Sequence, residues 1–124
     1  MGERRRRPPT SDLEVAAVSE SFHVTSESSD DSQRIIASGE LDIATVPVLE
    51  EAFDAAVASA AARIVVDLGG ITFIDSTGLR LLIKMRETCA EGRLGIRSTA
   101  IVDRLLQVTG LLDQLPLIGG DGAP

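Results

Sequence analysis

Two neighbouring hydroxyl side chains, Ser76 and Thr77, stand where an apolar strand-like run gives way to a helical pattern. Asp75 precedes them, and Gly78 and Leu79 follow. Serine and threonine are favoured at a helix N-cap because their oxygens accept hydrogen bonds from unpaired amides of the first turn. One cap needs one hydroxyl, so the second is available for chemistry. A serine at an exposed helix start is accessible to a kinase, and the free amides and the helix dipole favour a phosphate there.

The rest of the sequence offers little support for catalysis by the chain itself. A serine nucleophile needs a histidine that takes its proton, and the single histidine, His23, lies in the first predicted strand, where we expect it to face solvent. The glycines at 69, 70 and 78 lack the spacing of a nucleotide-binding loop. We therefore predict a non-enzymatic protein without a cofactor or a metal, in which a serine is the substrate of another enzyme.

Three carboxylates near predicted strand ends, Asp42, Asp67 and Asp75, leave one enzymatic alternative open. Carboxylates gathered at one edge of a sheet can hold Mg²⁺, and the alternative is a Mg²⁺-dependent phosphoryl-transfer domain. Asp42 equally suits a turn or a helix cap, and Asp67 suits a pair with a neighbouring side chain.

Size and charge restrict the class of protein. The 124 residues suit one domain with a single core. The net charge of −7 argues against a general affinity for nucleic acid, whose phosphates need a basic surface. The run Arg4 to Arg7 beside Pro8 and Pro9 suits a disordered tail, which we favour, or a nucleic-acid or membrane arm.

No segment predicts membrane insertion. The apolar stretches are far shorter than the roughly 20 residues that span a bilayer, and the run from Leu13 to Val18 is too short for a signal-peptide core. Cys89 is the only cysteine, so it cannot form an internal disulfide, and we predict a small buried hydrophobe. We expect a cytoplasmic protein.

Hydrophobic periodicity predicts a hairpin followed by alternating helices and strands. We predict a flexible leader over residues 1–20, one domain over 21–118 and a flexible tail over 119–124. The predicted elements are strands near Phe22 to Val24 and Arg34 to Ser38, a helix capped by Thr45, a strand over Arg63 to Leu68, a helix from about Thr77 to Glu91, a strand over Leu94 to Arg97, a helix capped by Ser98 or Thr99 with Gly110 after its end, and a short last strand before the tail. This order predicts an α/β fold with a mixed sheet and helices packed on it.

Each predicted helix has an apolar face for the core. The first presents Leu49, Ala52, Phe53, Ala56 and Val57. The second presents Leu79, Leu82, Ile83, Met85 and Cys89, and its polar face carries Arg80, Lys84, Glu87 and Glu91, which are solvated or available to a partner. The third presents Ile101, Val102, Leu105, Leu106 and Val108.

Four segments together resemble the STAS domains of bacterial anti-sigma factor antagonists over about Phe22 to Ile118. They are Gly39-Glu40-Leu41-Asp42, Val66-Asp67-Leu68, Phe73-Ile74-Asp75-Ser76-Thr77-Gly78-Leu79 and Thr109-Gly110-Leu111. The resemblance implies a sheet of four or five strands with helices mainly on one face. It also implies a partner switch, in which the unphosphorylated protein binds an anti-sigma factor serine/threonine kinase and so releases a sigma factor.

The resemblance also assigns roles to residues. The kinase phosphorylates Ser76, with Thr77 as the alternative acceptor and the expected helix cap, and a PP2C-type phosphatase reverses the reaction. Asp75 shapes the site, Gly78 lets the partner approach closely, and Asp42 borders the contact from the neighbouring loop.

Arg80 departs from the commonest pattern, in which a glycine follows the leucine. With Lys84 it lies on the predicted polar face, where it is expected either to alter which kinase docks or to sit beside a phosphate on Ser76. A second functional reading is a STAS scaffold, either stressosome-like or a subunit of a membrane-associated complex, that does not titrate an anti-sigma factor.

Overall fold

The computed structural model describes residues 22–118, and the predicted leader and tail lie outside them. Five strands and three helices alternate after an initial hairpin, and a 3₁₀ turn at Leu112–Gln114 precedes the last strand. The elements are β1 (Phe22–Ser29), β2 (Ser32–Leu41), α1 (Val46–Ala58), β3 (Arg63–Ile74), α2 (Ser76–Thr88), β4 (Leu94–Arg97), α3 (Ala100–Thr109) and β5 (Leu117–Ile118). The predicted order of elements is confirmed, including the short last strand.

The strands form one mixed sheet in the order β1-β2-β3-β4-β5. The hairpin of β1 and β2 is antiparallel, and β2, β3, β4 and β5 pair in parallel. The predicted α/β fold with a mixed sheet is therefore confirmed. Since β2, β3 and β4 run the same way, their carboxyl ends lie at one edge of the sheet, and α1, α2 and α3 each begin there.

The core lies between one face of the sheet and the helices. Alternate strand residues on that face are fully buried because successive side chains point to opposite faces; they include Phe22, Val24, Ile35, Ala37, Ile64, Val66 and Ile96. The helices cover them with Leu49, Phe53, Leu82, Met85, Val102 and Leu106. Cys89 is half-buried against this core, and burial raises the pKa of its thiol.

Strand β3 is longer than predicted, because its partner β2 continues beside it. We expected the strand to end at Leu68, but Leu41 of β2 still pairs with Ile74, after two shifts of register. Gly70 lies within this extension, where an added Cβ would be 2.6 Å from the Ser38 Cβ. Gly70 thus allows the two strands to approach closely, and residues 69–74, which we expected to link the strand to the next helix, belong to β3.

Helix α2 begins at Ser76 and ends at Thr88, whereas the pattern predicted about Thr77 to Glu91. Cys89 already has an extended backbone, with ψ 145°. Gly92 lies in the turn that leads to β4, with φ +88°. None of the helices within residues 22–118 is long and apolar enough to cross a membrane.

Helix α3 has the predicted ends but buries only part of its predicted face. The Thr99 hydroxyl caps it by accepting from the Val102 amide, and Gly110 follows in the left-handed conformation, φ 78°. Ile101 and Val108 were predicted in the core, and they are 49% and 77% exposed. The apolar arc is wider than the contact with the sheet, so a second row at i, i+4 and i+7 (Ile101, Leu105 and Val108) turns outward or lies half-buried.

Candidate functional site

The site lies at the edge of the sheet where β2 and β3 end side by side. Leu41 pairs with Ile74, and the Asp75 amide donates to the Leu41 carbonyl oxygen at 3.3 Å. The loop that begins at Asp42 therefore lies beside the start of α2. The fold brings together the two segments that sequence reasoning placed in one site.

Asp75, and not Thr77, caps helix α2. The Asp75 backbone is extended, and its Oδ1 accepts hydrogen bonds from the amides of Thr77 at 3.0 Å and Gly78 at 3.2 Å. The Thr77 hydroxyl donates to the same oxygen at 2.5 Å. The prediction that Thr77 is the cap was wrong, because the carboxylate one residue before the helix reaches both amides.

These bonds lower the pKa of Asp75. The hydrogen bond from the Thr77 hydroxyl is the largest cause, burial is the second and acts in the opposite direction, and the amides of Gly78 and Thr77 add to the lowering. A carboxylate that accepts several hydrogen bonds is favoured over its protonated form. Asp75 is therefore a fixed negative charge at neutral pH, directly before Ser76.

Ser76 is the first residue of α2 and is exposed. Within residues 22–118 its hydroxyl has no hydrogen-bond partner, whereas the Thr77 hydroxyl is held by Asp75. The amides of Thr77 and Gly78 are already bonded to the Asp75 side chain, and the Leu79 amide donates to the Asp75 carbonyl oxygen at 3.1 Å. A group added to Ser76 would project outward, since these first-turn amides are occupied.

Gly78 is buried beneath the start of α2. A Cβ at this position would lie 2.7 Å from Ile74 Cγ1 and 3.1 Å from Leu41 Cδ2. Internal packing against the two strand ends therefore explains the glycine. Its predicted contact with a partner stays a prediction.

The two predicted basic contacts on α2 differ in their surroundings. Arg80 is exposed one turn after Ser76, and the ion pairs within residues 22–118 do not include it. Lys84 forms an ion pair with Glu50 of α1, and this hydrogen bond raises the pKa of Lys84. Arg80 is thus the cation that stands nearest to Ser76 along the helix, while Lys84 joins two helices.

Asp42 organises the loop between β2 and α1. Its Oδ1 accepts from the amides of Ala44 at 3.0 Å and Thr45 at 3.2 Å. Thr45 stands at the N-cap position as predicted, but its hydroxyl donates to the Glu40 carbonyl oxygen at 2.8 Å and makes no bond to the helix. This leaves Ile43 at the tip of the loop, 74% exposed.

The three carboxylates of the magnesium alternative have separate partners. Asp67 pairs with Arg34 at 2.6 Å and accepts from the Gly69 amide at 2.8 Å. Asp42 binds loop amides and Asp75 binds the helix start. Residues 22–118 contain no group of three or more His, Cys, Asp or Glu side chains that could hold a metal ion.

Sequence reasoning missed an apolar surface beside the motif. Phe73 is 48% exposed, and together with Ile101 and Val108 of α3 it lines a shallow depression. The signal was present, because adjacent residues of a strand point to opposite faces. Phe73 and Ile74 could not both enter the core.

Comparison with known proteins identifies the family. The family model described as "Mlab, STAS domain" matches residues 24–119. The chain therefore belongs to the STAS domain family. No curated protein matches the chain.

Two solved structures have the same architecture. The crystal structure of an anti-sigma factor antagonist from Mycobacterium paratuberculosis is 29% identical, with a TM-score of 0.74, over 85% of this chain and 92% of that chain. The anti-sigma factor antagonist SpoIIAA in its unphosphorylated form is 22% identical, with a TM-score of 0.61, over 80% of this chain and 89% of that chain. The second likeness concerns the fold alone, and together the findings confirm the resemblance to STAS domains of antagonists.

Proposed function

We propose that this protein is an anti-sigma factor antagonist that Ser76 phosphorylation switches off. The observation that carries the proposal is the division at the start of α2, where Asp75 holds the first amides and the Thr77 hydroxyl while Ser76 stays exposed. The likeness to the mycobacterial antagonist supports the role. The protein acts as a binding partner and kinase substrate and has no catalytic activity of its own.

In the proposed cycle the unmodified protein binds an anti-sigma factor that is also a serine/threonine kinase, and the sigma factor is released. The kinase holds ATP, the Ser76 oxygen bonds to the γ-phosphorus, ADP leaves, and the hydroxyl proton passes to the kinase. A PP2C-type phosphatase restores the free serine. These partners act on transcription, so we place the protein in the cytoplasm.

Charge and the occupied amides explain why the phosphate would weaken binding. The phosphate adds about −1.5 to −2 charges at neutral pH. It would stand beside ionised Asp75 and project toward the partner, since Asp75 already occupies the helix start. A partner shaped for a neutral hydroxyl would meet repulsion and a desolvation cost. Asp42 borders this contact from the neighbouring loop.

Arg80 is the residue that would moderate the switch in this chain. It follows Ser76 by four positions, and side chains at i and i+4 are neighbours on a helix. A guanidinium beside the phosphate would partly neutralise it. Arg80 is also available to the kinase, whereas the ion pair of Lys84 with Glu50 competes with a contact of that lysine with a partner.

Phosphorylation of defined variants tests the proposal. The purified histidine-kinase-like anti-sigma factors of the source genome are each incubated with ATP and this protein, and the product is analysed by intact-mass and peptide mass spectrometry. We expect one kinase to add a single phosphate to Ser76, Ser76→Ala to remove the reaction, and the matched variant Thr77→Val to retain it.

Two outcomes would contradict this assignment. If Ser76→Ala were modified as fully as the unaltered protein, Ser76 would not be the phosphorylated residue. Loss of the modification in a protein that carries both Ser76→Ala and Thr77→Val would then identify Thr77 as the acceptor. A stable large assembly on size exclusion, with no kinase that binds or modifies the protein, would instead support the scaffold reading.

A further inference from the structure

The apolar depression beside the switch has the properties of a second contact surface. Its exposed side chains are Phe73 at the end of β3 and Ile101 and Val108 on α3, which we call the apolar strip. Three of the four large hydrophobic side chains that are exposed within residues 22–118 belong to it. The depression encloses about 240 Å³, and clusters of exposed apolar side chains commonly mark interaction sites.

The apolar strip is continuous with the proposed switch. Ile74 lines the depression and directly precedes Asp75, so the depression begins two residues before Ser76. A partner that brings a kinase active site to the Ser76 hydroxyl has to lie over this edge of the sheet. Covering the apolar strip requires only that the same partner extend along α3.

Charge at the rim indicates what the covering segment contains. Arg104 lines the depression, and Arg80 stands near the switch end on an exposed helix face. These cations belong to a protein whose net charge is −7. An apolar segment with acidic flanks complements such a surface, because opposite charges steer docking and fix its register.

We infer that the anti-sigma factor kinase docks an apolar segment with acidic flanks on the strip of Phe73, Ile101 and Val108, with Arg104 at its rim. This inference rests on the proposed function and adds to it a second contact with the kinase, which we call the anchor. The anchor contributes the same binding free energy to the kinase–substrate complex and to the transition state of phosphoryl transfer. Loss of such uniform binding raises KM and leaves kcat unchanged, whereas loss of Ser76 removes the reaction.

Three variants separate the anchor from general effects of charge and folding. Val108→Glu places a charge in the apolar strip at an exposed position. Gln107→Glu is its matched control. It adds the same charge to the exposed residue directly before Val108 on α3, and Gln107 does not line the depression. Phe73→Ser removes apolar area without a charge, and circular dichroism melting of each variant verifies folding.

Steady-state phosphorylation of these variants by the kinase, with Ser76 occupancy read by mass spectrometry, is the test. We expect Val108→Glu and Phe73→Ser to raise KM by about tenfold or more with an unchanged kcat, since each removes the burial of a large apolar side chain. Gln107→Glu should stay within about twofold of the unaltered protein.

The inference is overturned if folded Val108→Glu and Phe73→Ser are phosphorylated with unaltered KM while Ser76→Ala is inert, and the proposed function then stands alone. It is also overturned if sedimentation shows a dimer of this protein that Val108→Glu dissociates, because a second copy then occupies the strip. If no kinase modifies Ser76, the proposed function fails and the anchor falls with it.

Discussion

The Asp75 carboxylate has two roles at the start of α2. It satisfies the amides of Thr77 and Gly78, which would otherwise lack partners at the helix end. It also places a negative charge next to the proposed phosphorylation site. The hydroxyl of Thr77 donates a hydrogen bond to this cap, whereas the Ser76 hydroxyl stays exposed.

We expect Asp75→Ala to lower the free energy of unfolding at pH 7 by about 0.5–2 kcal/mol, the usual cost of losing a helix cap. The pKa of Asp75 is lowered from its ordinary value of 3.8. The stabilisation from the carboxylate is therefore fully present above that value and is lost as pH falls through the lowered pKa. Urea unfolding of both proteins at pH 7 and at the lowest pH at which both remain folded measures the difference.

Asp75→Asn is the matched control, because asparagine is also a favoured N-cap. It should retain more of the stability at pH 7 than Asp75→Ala does. A gap between unaltered protein and Asp75→Ala that is as wide at the lowest accessible pH as at pH 7 would refute the role of the charged carboxylate.

At the scale of elements, the site depends on how closely α2 packs on the ends of β2 and β3. Gly78 faces Ile74 and Leu41 with no room for a methyl group. This contact holds the start of α2 down on the sheet edge and presents Ser76 at the surface. The same strand end turns Phe73 outward, so the switch and the apolar strip share one structural support.

Gly78→Ala should destabilise the protein, although alanine favours helices. The overlap with Ile74 and Leu41 costs about 1–3 kcal/mol, and the better helix propensity of alanine returns about 0.8–1 kcal/mol. We expect a net loss of up to about 2 kcal/mol in urea unfolding. In the double variant with Ile74→Ala the added methyl group has space, so the two effects should not be additive.

A Gly78→Ala protein that is clearly more stable than the unaltered one would contradict this packing. It would mean that the helix start can move away from the strands at no cost. The same variant would then be expected to change the exposure of Ser76 as well.

Local patterns predicted the elements better than their boundaries. The order of strands and helices, a cap of α3 at Ser98 or Thr99, and Gly110 after that helix followed from periodicity and cap preferences, which depend on neighbours in sequence. The extension of β3 to Ile74 depends on pairing with β2, which no local pattern contains. The cap at Asp75 was missed because Asp75 and Thr77 both have cap chemistry, and the backbone at the strand end decides between them.

The exposure of Ile101 and Val108 on α3 also could not be predicted from local sequence patterns. Periodicity places Ile101, Val102, Leu105, Leu106 and Val108 on one broad arc, but only the sheet determines how much of that arc is covered. Of the predicted site, the position of the Asp42 loop beside Asp75 and Ser76 was implied by the resemblance to STAS domains. The apolar strip was not, because it joins the end of β3 at Ile74 to a helix that begins only at Ala100, about a fifth of the chain later.

At the scale of the whole molecule, one edge of the sheet holds the features that a regulated interface needs. The ends of β2 and β3 present the exposed serine and its fixed neighbouring charge, and α3 adds the apolar strip. The net charge of −7 on the whole chain favours solubility and disfavours nonspecific binding to anions. We propose that the apolar strip contributes affinity for the kinase and that phosphorylation of Ser76 lowers this affinity.

The affinity of the kinase for the two forms of this protein tests that account most directly. The unmodified protein and protein stoichiometrically phosphorylated on Ser76 are titrated into the anti-sigma factor kinase by isothermal calorimetry. We predict that the phosphorylated form binds at least about a hundredfold more weakly, since each 1.4 kcal/mol of lost binding is about tenfold. Equal dissociation constants for the two forms would contradict the central claim that Ser76 is a switch.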